Sequence, residues 1–285
     1  MSESITVVIP SYKSKKRIIK HIKNISKKIK IIIIENSADK NLKEILEKKN
    51  KNISVFLQKN IGYGRAINFA SKFVKTKFFF VINPDTTIYK DTIKKLVLTA
   101  NKVKNFGAMS PNLYNKKKNI KGLTYREEKN LNGGAMLFKT KIFKKLNGFD
   151  ENIFLYYEDN DYFTKCRFKK VKLYTALSAF FFHKKRNSSS ATFKNQNEKK
   201  YASLINAWHG QWSKFYYMKK YKGYLFALYK SLPRLILMIF QLILNFIINY
   251  NKSKFTYFKI EGLFCSIIGL KSFKRTKYDK DFSIL

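Results

Sequence analysis

The stretch Phe78-Phe79-Phe80-Val81-Ile82-Asn83-Pro84-Asp85 is a short apolar run that ends abruptly in a turn carrying one carboxylate. Aromatic and β-branched residues closed by Asn-Pro are typical of a buried strand, because proline cannot donate to the hydrogen-bond ladder. Ligands of open parallel α/β sheets bind at the carboxyl ends of the strands. Asp85 is therefore placed to hold a metal ion or a polar ligand group, although the segment taken alone also fits a plain turn.

Three more buried-strand patterns precede this run, at Ile5–Ile9, Ile31–Ile34 and Ile53–Leu57. Helical patterns of apolar residues separate them; the first places Ile18, Ile22, Ile25 and Ile29 on one helix face. Strands that alternate with helices predict an α/β fold with a mainly parallel central sheet covered on both faces.

Polar residues and glycines follow all four predicted strands, and parallel strands bring their carboxyl ends to one edge of a sheet. Four ordinary turns would not combine so many ligand-type groups, which favours a binding site. No G-x-G-x-x-G follows the first strand, so a Rossmann dinucleotide site is not indicated. The candidate ligand-binding residues at this edge are Pro10, Ser11, Tyr12, Glu35, Asn36, Asn60, Gly64, Arg65, Asn83 and Asp85.

A second informative segment, residues 148–161, ends in an acidic cluster with Glu158, Asp159 and Asp161. Apolar residues further on predict a helix that starts near Glu158, and the helix dipole favours negative charge in the first turn. Helix capping is one interpretation of the cluster. The other is a general base, because neighbouring carboxylates raise the proton affinity of at least one of them.

His183 follows a predicted strand, Ala179–Phe182, and precedes cationic and hydroxyl residues that suit a diphosphate, Lys184 to Arg186 and Ser188 to Ser190. His21 and His209 lie in helical patterns without a chemical neighbourhood that points to a site. Gly133 and Gly134 open another predicted strand, where small residues allow a ligand or a backbone to approach closely.

The chain has 285 residues and a formal net charge of +41, which attracts anionic partners such as nucleic acid, anionic lipid or sugar nucleotides. The lysines are spread along the whole chain, as A/T-rich codon usage would produce, so we expect no nucleic acid as a partner. The two cysteines match no metal spacing and indicate a reduced, cytoplasmic location. The first strand begins close to Met1, so we expect no signal peptide.

The last third of the chain is helical, aromatic and basic, and it contains an apolar run at residues 235–248 interrupted by Gln241 and Asn245. This run is shorter than the roughly 20 residues of a membrane span. Apolar residues flanked by aromatics and lysines favour a helix lying on an anionic membrane surface. A core or dimer helix is one alternative, and a true membrane span is another.

Taken in order, these segments resemble the family-two inverting glycosyltransferases with the GT-A fold, and in particular their rhamnosyltransferase-like branch. The matching stretches are Val7 to Tyr12, Ile34 to Ser37, Asn60 to Asn68, Asn83 to Asp85, Gly133 to Met136, and Phe149 to Asp161. Each motif is weak alone, but the ordered set over residues 5–190 is specific.

The resemblance implies transfer of a sugar, rhamnose or another hexose, from a dTDP- or UDP-linked donor to a saccharide or lipid-linked acceptor, with inversion. It further implies a divalent metal, Mg²⁺ or Mn²⁺, on Asp85 and His183. The polar residues that follow the first four strands would bind the sugar donor, with Glu35 in contact with the nucleotide base or ribose. Asp159 would be the catalytic base, and Glu158 and Asp161 would orient it or bind acceptor hydroxyls. Asn83-Pro84-Asp85 stands where many relatives have Asp-x-Asp, which removes one charged metal ligand.

We therefore expect a GT-A catalytic domain at residues 1–195, with a nucleotide-sugar half to about residue 110 and an acceptor half after it. Residues 196–285 would form a helical, membrane-associating segment. The protein would act in surface polysaccharide synthesis for the cell envelope, on the inner face of the cytoplasmic membrane. The alternatives are a basic nucleic-acid-binding protein and a transferase-like scaffold without activity.

Overall fold

A computed structural model describes residues 4–113, 123–183 and 192–279. The strands are β1 Ile5–Ser11, β2 Lys30–Glu35, β3 Ile53–Leu57, β4 Phe78–Ile82, β5 Thr86–Ile88, β6 Phe106–Leu113, β7 Tyr125–Glu128, β8 Ala135–Lys139 and β9 Lys172–His183. The helices are α1 Lys15–Ile22, α2 Lys40–Lys49, α3 Tyr63–Lys72, α4 Thr92–Lys102, α5 Thr140–Lys145, α6 Glu158–Phe168, α7 Gln196–Lys222, α8 Tyr224–Ile248 and α9 Tyr250–Ile267.

The chain forms two compact units. The first unit contains the chain up to Phe149 together with Tyr162–Thr192, and the second contains Asp150–Asp161 and the chain from Phe193 on. Helix α6 begins in the second unit and continues in the first. The division at residue 195 that we expect from the sequence stays a prediction.

One sheet organises the first unit, with strand order β3-β2-β1-β4-β8-β6-β9-β5 and β7 paired to β9. The four strands β3, β2, β1 and β4 are parallel, as predicted. Beyond β4 the sheet is mixed, because β8 runs antiparallel to both β4 and β6. The predicted α/β class is confirmed, and the mixed half carries His183 back to the carboxyl end of β4 through the β5–β9 pairing.

Helices cover both faces of this sheet, because alternate residues of the buried strands point to opposite sides. Val7, Ile31 and Phe80 pack in one core with the apolar faces of α1, α2 and α4. Val8, Ile32 and Phe79 pack in the other core with α3 and α5. Both cores are aromatic and aliphatic, so the strand ends are fixed by burial on either side.

The structure differs from the sequence-based expectation in three strands and one helix. The strands β5, β6 and β7 are absent from the prediction, since β5 is very short and β6 contains Gly107 and Pro111. Helix α1 ends at Ile22, so Ile25 and Ile29 are buried but lie beyond the helix. Residues 116–118 and 184–190, for which we expect a surface loop and a diphosphate-binding segment, lie outside the described residues.

The second unit is built on α7, α8 and α9. Gly223, with a φ of 87°, separates α7 from α8, and Asn249 caps α9 by accepting a hydrogen bond from the Lys252 N–H at 3.1 Å. Gly262 of α9 lies against the Trp208 backbone of α7, where any Cβ would clash with the Trp208 carbonyl oxygen. Gly262 thus allows α7 and α9 to pack closely.

Helix α8 is long and apolar enough to cross a membrane, with a mean hydropathy of 2.0 over its most apolar window. It extends further toward the N-terminus than the apolar run at residues 235–248. Only 11 % of that window is buried, and an exposed apolar surface includes Leu225, Ile236, Phe240, Ile243, Phe246 and Ile247. Only its length and composition make α8 suited to cross a membrane, and the core helix of a soluble protein can share both features.

Candidate functional site

The first unit brings the predicted polar residues of β1, β2 and β4 to one edge of the sheet. Ser11 pairs with Glu35 in the β1–β2 register, and the Asn36 N–H donates to the Ser11 carbonyl oxygen at 2.8 Å. Asn83 follows β4 directly, and its N–H donates to the Gly134 carbonyl oxygen at 3.0 Å. The carboxyl edge therefore forms as the parallel register predicts.

Glu35 is fully buried, and both of its carboxylate oxygens accept hydrogen bonds from the protein. One oxygen accepts from the Ser11 hydroxyl, and the other accepts from the Ser37 hydroxyl and from the Ser37 N–H at 2.9 Å. Asn36 beside it is buried, and its side-chain oxygen accepts no hydrogen bond from the described part of the chain. Since a buried acceptor without a partner is costly, Asn36 is the group that can accept from a ligand N–H such as that of a nucleobase.

The other predicted donor-binding residues lie at the carboxyl end of β1 and around the start of α3. Pro10 is buried inside β1, and Tyr12 is partly exposed just after it. The Asn60 side-chain oxygen accepts from the Gly62 N–H at 3.4 Å. In the first turn of α3, Gly64 is buried and Arg65 is exposed.

Asp85 and His183 come together where β5 pairs with β9. His183 Nε2 lies 3.5 Å from Asp85 Oδ2, with the side chains 28 % and 21 % exposed. Asp85 Oδ1 is buried and accepts no hydrogen bond from any described residue. Gly134 permits this arrangement, because a Cβ there would lie 2.9 Å from Thr86 Cγ2 and 3.4 Å from His183 Cε1.

Two residues near this centre have no signal in the sequence pattern. The Tyr63 hydroxyl donates to the Asn83 side-chain oxygen at 2.8 Å, which fixes the turn that carries Asp85. His21 of α1 is buried, and burial lowers its pKa to about 4 although the charge of Asp85 raises it. His21 is therefore neutral near pH 7. The lysine-rich sequence of α1 does not indicate that His21 lies near Asp85, because this depends on how α1 packs against the sheet.

Metal-ligating groups in the described residues are limited to pairs. No group of three or more His, Cys, Asp or Glu side chains converges there closely enough to hold an ion alone. Asp85 and His183 could supply one carboxylate oxygen and one imidazole nitrogen, both of which suit a divalent transition metal.

The second unit contains the acidic start of α6. Glu158 is buried and Asp159 is partly exposed. Burial, and then the charge of Asp159, raises the pKa of Glu158 to about 8, and burial also raises the pKa of Asp159. Two carboxyl groups in this setting hold a proton between them near pH 7, so the more exposed Asp159 is the one available as a base.

The two tyrosines immediately before this pair have left-handed backbone conformations, which residues other than glycine rarely adopt. Tyr156 has a φ of 67° and Tyr157 a φ of 68°. The Tyr157 ring packs against Tyr217 with centroids 5.5 Å apart, and the Ser213 hydroxyl donates to the Leu155 carbonyl oxygen at 2.8 Å. Consecutive left-handed residues cost of order 1–3 kcal/mol each, and such strain concentrates at functional sites.

Asp161 has different surroundings from its two acidic neighbours. It is fully buried, and its Oδ1 accepts from Lys220 Nζ at 2.5 Å and from the Tyr221 hydroxyl at 2.8 Å. Lys220 Nζ also donates to Asp150 Oδ2 at 2.6 Å. The Asp161 carboxylate therefore joins α6 to α7, and the expectation that it orients the base or binds acceptor hydroxyls stays a prediction.

The raised pKa of Glu158 predicts a specific dependence of stability on pH. The unfolded chain releases this proton near its ordinary pKa of 4.5, whereas the folded protein keeps it to about 8. The folded state binds more protons between these values, so its stability is greatest at low pH and falls as pH rises toward 8. We expect Glu158→Gln to remove this fall in melting temperature between about pH 6 and pH 8.

Thermal unfolding across this pH range measures the effect, with the exposed Glu44 on α2 as the matched control. Glu44→Gln should keep the wild-type slope. An unchanged slope in Glu158→Gln would contradict the assignment of the buried proton.

The profile of glycosyl transferase family 2 matches residues 6–222. A curated relative, the low-salt glycan biosynthesis hexosyltransferase Agl10 of Haloferax volcanii, is 21 % identical over 200 residues. The aligned part is 61 % of this chain and 64 % of the relative, so the chain spans less than two thirds of that protein's length.

Two solved structures have similar folds. The mannosyltransferase PcManGT from Pyrobaculum calidifontis, in complex with GDP-Man and Mn²⁺, has a TM-score of 0.58 and 14 % identity, covering 92 % of this chain and 86 % of that one. S. aureus TarS 1–349, in complex with UDP-GlcNAc, has a TM-score of 0.52 and 14 % identity, covering 94 % of this chain and 92 % of that one. At these identities the likeness concerns the fold alone, which confirms the predicted GT-A fold. Because the family profile covers most of the sequence, the chain belongs to glycosyl transferase family 2.

Proposed function

We propose that the protein transfers a hexose, rhamnose being one candidate, from a nucleoside-diphosphate donor to a saccharide or lipid-linked acceptor, with inversion, in the synthesis of surface polysaccharide. The observation that carries this proposal is the sheet edge of the first unit. The side-chain oxygen of Asn36 and one carboxylate oxygen of Asp85 are buried there and accept no hydrogen bond from the described residues. The relatives named above support a nucleotide-linked hexose, because they carry the names of a hexosyltransferase, a GDP-Man complex and a UDP-GlcNAc complex.

The donor nucleotide would meet Asn36 through its base, while Glu35 holds the loops after β1 and β2 in place from beneath. The sequence-based expectation gives Glu35 a direct contact with the base or ribose. Its two oxygens are already engaged by Ser11 and Ser37, so we assign it a positioning role. This network does not select between dTDP and UDP as the carrier.

Asp85 and His183 fit a divalent cation. The unpartnered Asp85 Oδ1 is the observation that favours it, because a buried carboxylate oxygen without a donor is stabilised by a cation. Mg²⁺ and Mn²⁺ both take oxygen ligands, and the imidazole of His183 favours Mn²⁺. When bound, such an ion stabilises the negative charge that develops on the departing diphosphate.

Asp159 would accept the proton of the acceptor hydroxyl as that oxygen attacks the anomeric carbon. Attack from the side opposite the diphosphate inverts the configuration. Burial raises the proton affinity of Asp159 above that of a free carboxylate, which makes it a stronger base. Glu158 would stay protonated beside it and limit the negative charge in the site.

Helix α8 supports association with the inner face of the cytoplasmic membrane. Its apolar residues are largely exposed, and lysines flank it on α7 and α9. An exposed apolar helix with cationic neighbours favours an anionic bilayer surface.

The test is thermal stabilisation by UDP, dTDP and GDP, each with and without Mn²⁺ or Mg²⁺. A ligand at about a hundred times its Kd contributes about 2.7 kcal/mol, which for a chain of this size raises the melting temperature by roughly 5–10 °C. We expect one diphosphate to stabilise the wild type in a metal-dependent way. Asp85→Ala should abolish the metal dependence.

Asp91→Ala is the matched control, because Asp91 is an exposed carboxylate of the same unit, paired with Lys95 on α4. It should respond to nucleotide and metal as the wild type does. Stabilisation by short RNA or DNA, with no response to any diphosphate, would overturn the proposed function.

A further inference from the structure

The segment that follows α9, residues 270–275, is held against α7 and α9 by hydrogen bonds. The Trp212 indole N–H of α7 donates to the Leu270 carbonyl oxygen at 2.9 Å. The Lys274 ammonium lies 2.5 Å from Glu261 Oε1 and 2.7 Å from Glu261 Oε2 on α9. We call residues 270–275 the C-terminal strap, because its first part is attached to one helix and its last part to another.

His209 of α7 binds the C-terminal strap through both of its ring nitrogens. It is fully buried, and burial lowers its pKa to about 3, although its hydrogen bond to Lys274 raises it. The imidazole is therefore neutral near pH 7 and has a single N–H donor. Nε2 donates to the Lys274 carbonyl oxygen at 2.8 Å, and Nδ1 accepts from the Ser272 hydroxyl at 3.0 Å.

Arg275 ends the C-terminal strap, and its guanidinium lies over the ring of Phe154. The distance from Arg275 Cζ to the ring centre is 3.7 Å. The same guanidinium donates through Nη1 to the carbonyl oxygens of Ser272 at 3.0 Å and Lys274 at 2.9 Å. These two bonds restrict the position of the guanidinium. A cation over an aromatic face is attracted to the ring, and more strongly where water is excluded.

The ring of Phe154 contacts both the C-terminal strap and α7. Besides Arg275, it lies against the His209 imidazole with centroids 4.5 Å apart. Only 6 % of Phe154 is exposed. One buried ring thus joins the strap and α7 to the chain that leads to the acidic start of α6.

The chain between Phe154 and the acidic pair is strained. Phe154 precedes Asp159 by only five positions, and Tyr156 and Tyr157 between them have φ values of 67° and 68°. Left-handed residues other than glycine persist only where the surrounding structure holds them in place. The buried contacts of Phe154 supply such support immediately before the strained residues.

We propose that Arg275 is a positioning residue of the transferase, which through the Phe154 ring fixes the strained turn before α6 and so places Asp159. The proposal rests on the proposed function, since it concerns the catalytic base of that reaction. A general base must lie within hydrogen-bond reach of the proton that it accepts, and a misplacement of about 1 Å can cost about a hundredfold in rate. A turn fixed by buried contacts keeps the base in place.

The test compares the melting temperatures of the wild type and Arg275→Gln at pH 7 and pH 8. The folded protein keeps the proton of Glu158 to about pH 8 and the unfolded chain does not, so we expect the wild-type melting temperature to fall by about 2–4 °C over this range. If the turn relaxes, Glu158 becomes hydrated and loses its proton at lower pH. Arg275→Gln should therefore lose most of this fall.

Loss of the positive charge alone cannot produce this result. Removal of a cation near a carboxyl group raises the pKa of that group, which would preserve the fall in melting temperature. Lys277→Gln is the matched control, because the Lys277 ammonium lies just beyond the strap and 5.5 Å from the centre of a different ring, Tyr201. It should keep the wild-type fall.

Phe154→Leu provides a second variant that decides the question if Arg275→Gln does not fold. It keeps an apolar side chain but removes the aromatic face, so it should also lose the fall. A melting temperature of Arg275→Gln that is lower at both pH values but falls as in the wild type would overturn the proposal, because Arg275 would then be merely structural. Equal losses in Arg275→Gln and Lys277→Gln, or no fall in the wild type, would overturn it too.

Stabilisation of the same preparations by UDP, dTDP and GDP with Mn²⁺ separates this proposal from the proposed function. Arg275→Gln should respond as the wild type does, because the strap belongs to the second unit and the predicted nucleotide edge to the first. A nucleotide response with an unaltered fall in Arg275→Gln would indicate a transferase whose base is not positioned by the strap. A loss of the fall in a protein that responds to no nucleotide would overturn the proposed function and, with it, the catalytic role of the turn.

Discussion

Asp159→Asn is expected to lower the rate of sugar transfer by about 10²–10⁴-fold, the usual contribution of a general base, while donor binding stays unchanged. Asparagine has nearly the same shape as aspartate but cannot accept the proton of the acceptor hydroxyl. Asp159 is the more exposed member of the Glu158–Asp159 pair, and burial raises its pKa, so it combines access with basicity. Release of the nucleoside diphosphate from the donor measures the rate, and thermal stabilisation measures donor binding.

Glu158→Gln is the matched control, because glutamine resembles the protonated state that burial imposes on Glu158. We expect it to keep the rate within about tenfold of the wild type, since one pKa unit of change in a neighbour corresponds to about 1.4 kcal/mol. The opposite pattern, with an active Asp159→Asn and an inactive Glu158→Gln, would exchange the two roles. Activity in both variants would exclude this pair as the base.

The sequence predicts the parallel half of the sheet well because its signals are local. The run from Phe78 to Ile82 is buried on both faces, so its apolar pattern is continuous and its end at Asn83 is sharp. Parallel register then follows from the alternation of strands and helices. The gathering of Ser11, Glu35 and Asp85 at one edge requires no further information.

The mixed half of the sheet is poorly predicted because its strands lack such signals. Strand β7 is largely polar and partly exposed, and β5 is too short to show a period. They are stabilised by pairing with β9, which is a contact between distant parts of the chain. Two signals in the sequence point to this part of the site: His183 at the end of a recognisable apolar run, and Gly133 and Gly134 just before β8.

The chemical state of the acidic residues is also beyond the sequence pattern. Glu158, Asp159 and Asp161 form one cluster along the chain, yet the structure gives each a different environment. The difference arises from α7, which supplies Lys220 and Tyr221 to Asp161 from 59 and 60 positions away along the chain. Glu35 is a similar case, because two serine hydroxyls engage the carboxylate that the sequence offers to a ligand.

Lys220→Met is expected to lower the free energy of unfolding by about 3 kcal/mol, because it leaves the buried carboxylate of Asp161 without its cation. Lys220 Nζ lies 2.5 Å from Asp161 Oδ1 and 2.6 Å from Asp150 Oδ2, and Asp161 is fully buried. Methionine keeps most of the side-chain volume, so the loss is mainly electrostatic. Urea unfolding measures it, and Lys200→Met, an exposed lysine on the same helix, should change stability by less than about 0.5 kcal/mol.

A double-mutant cycle with Asp161→Asn isolates the ion pair between Lys220 and Asp161. Once Asp161 is neutral, Lys220→Met removes a cation that Asp150 alone still uses, so the second substitution should cost clearly less than it does in the wild type. A coupling energy of about 1–3 kcal/mol is expected for two groups in direct contact. If the two effects simply add, the Asp161 carboxylate is not held by Lys220, and its predicted role beside the catalytic base becomes the better account of why a carboxylate lies there.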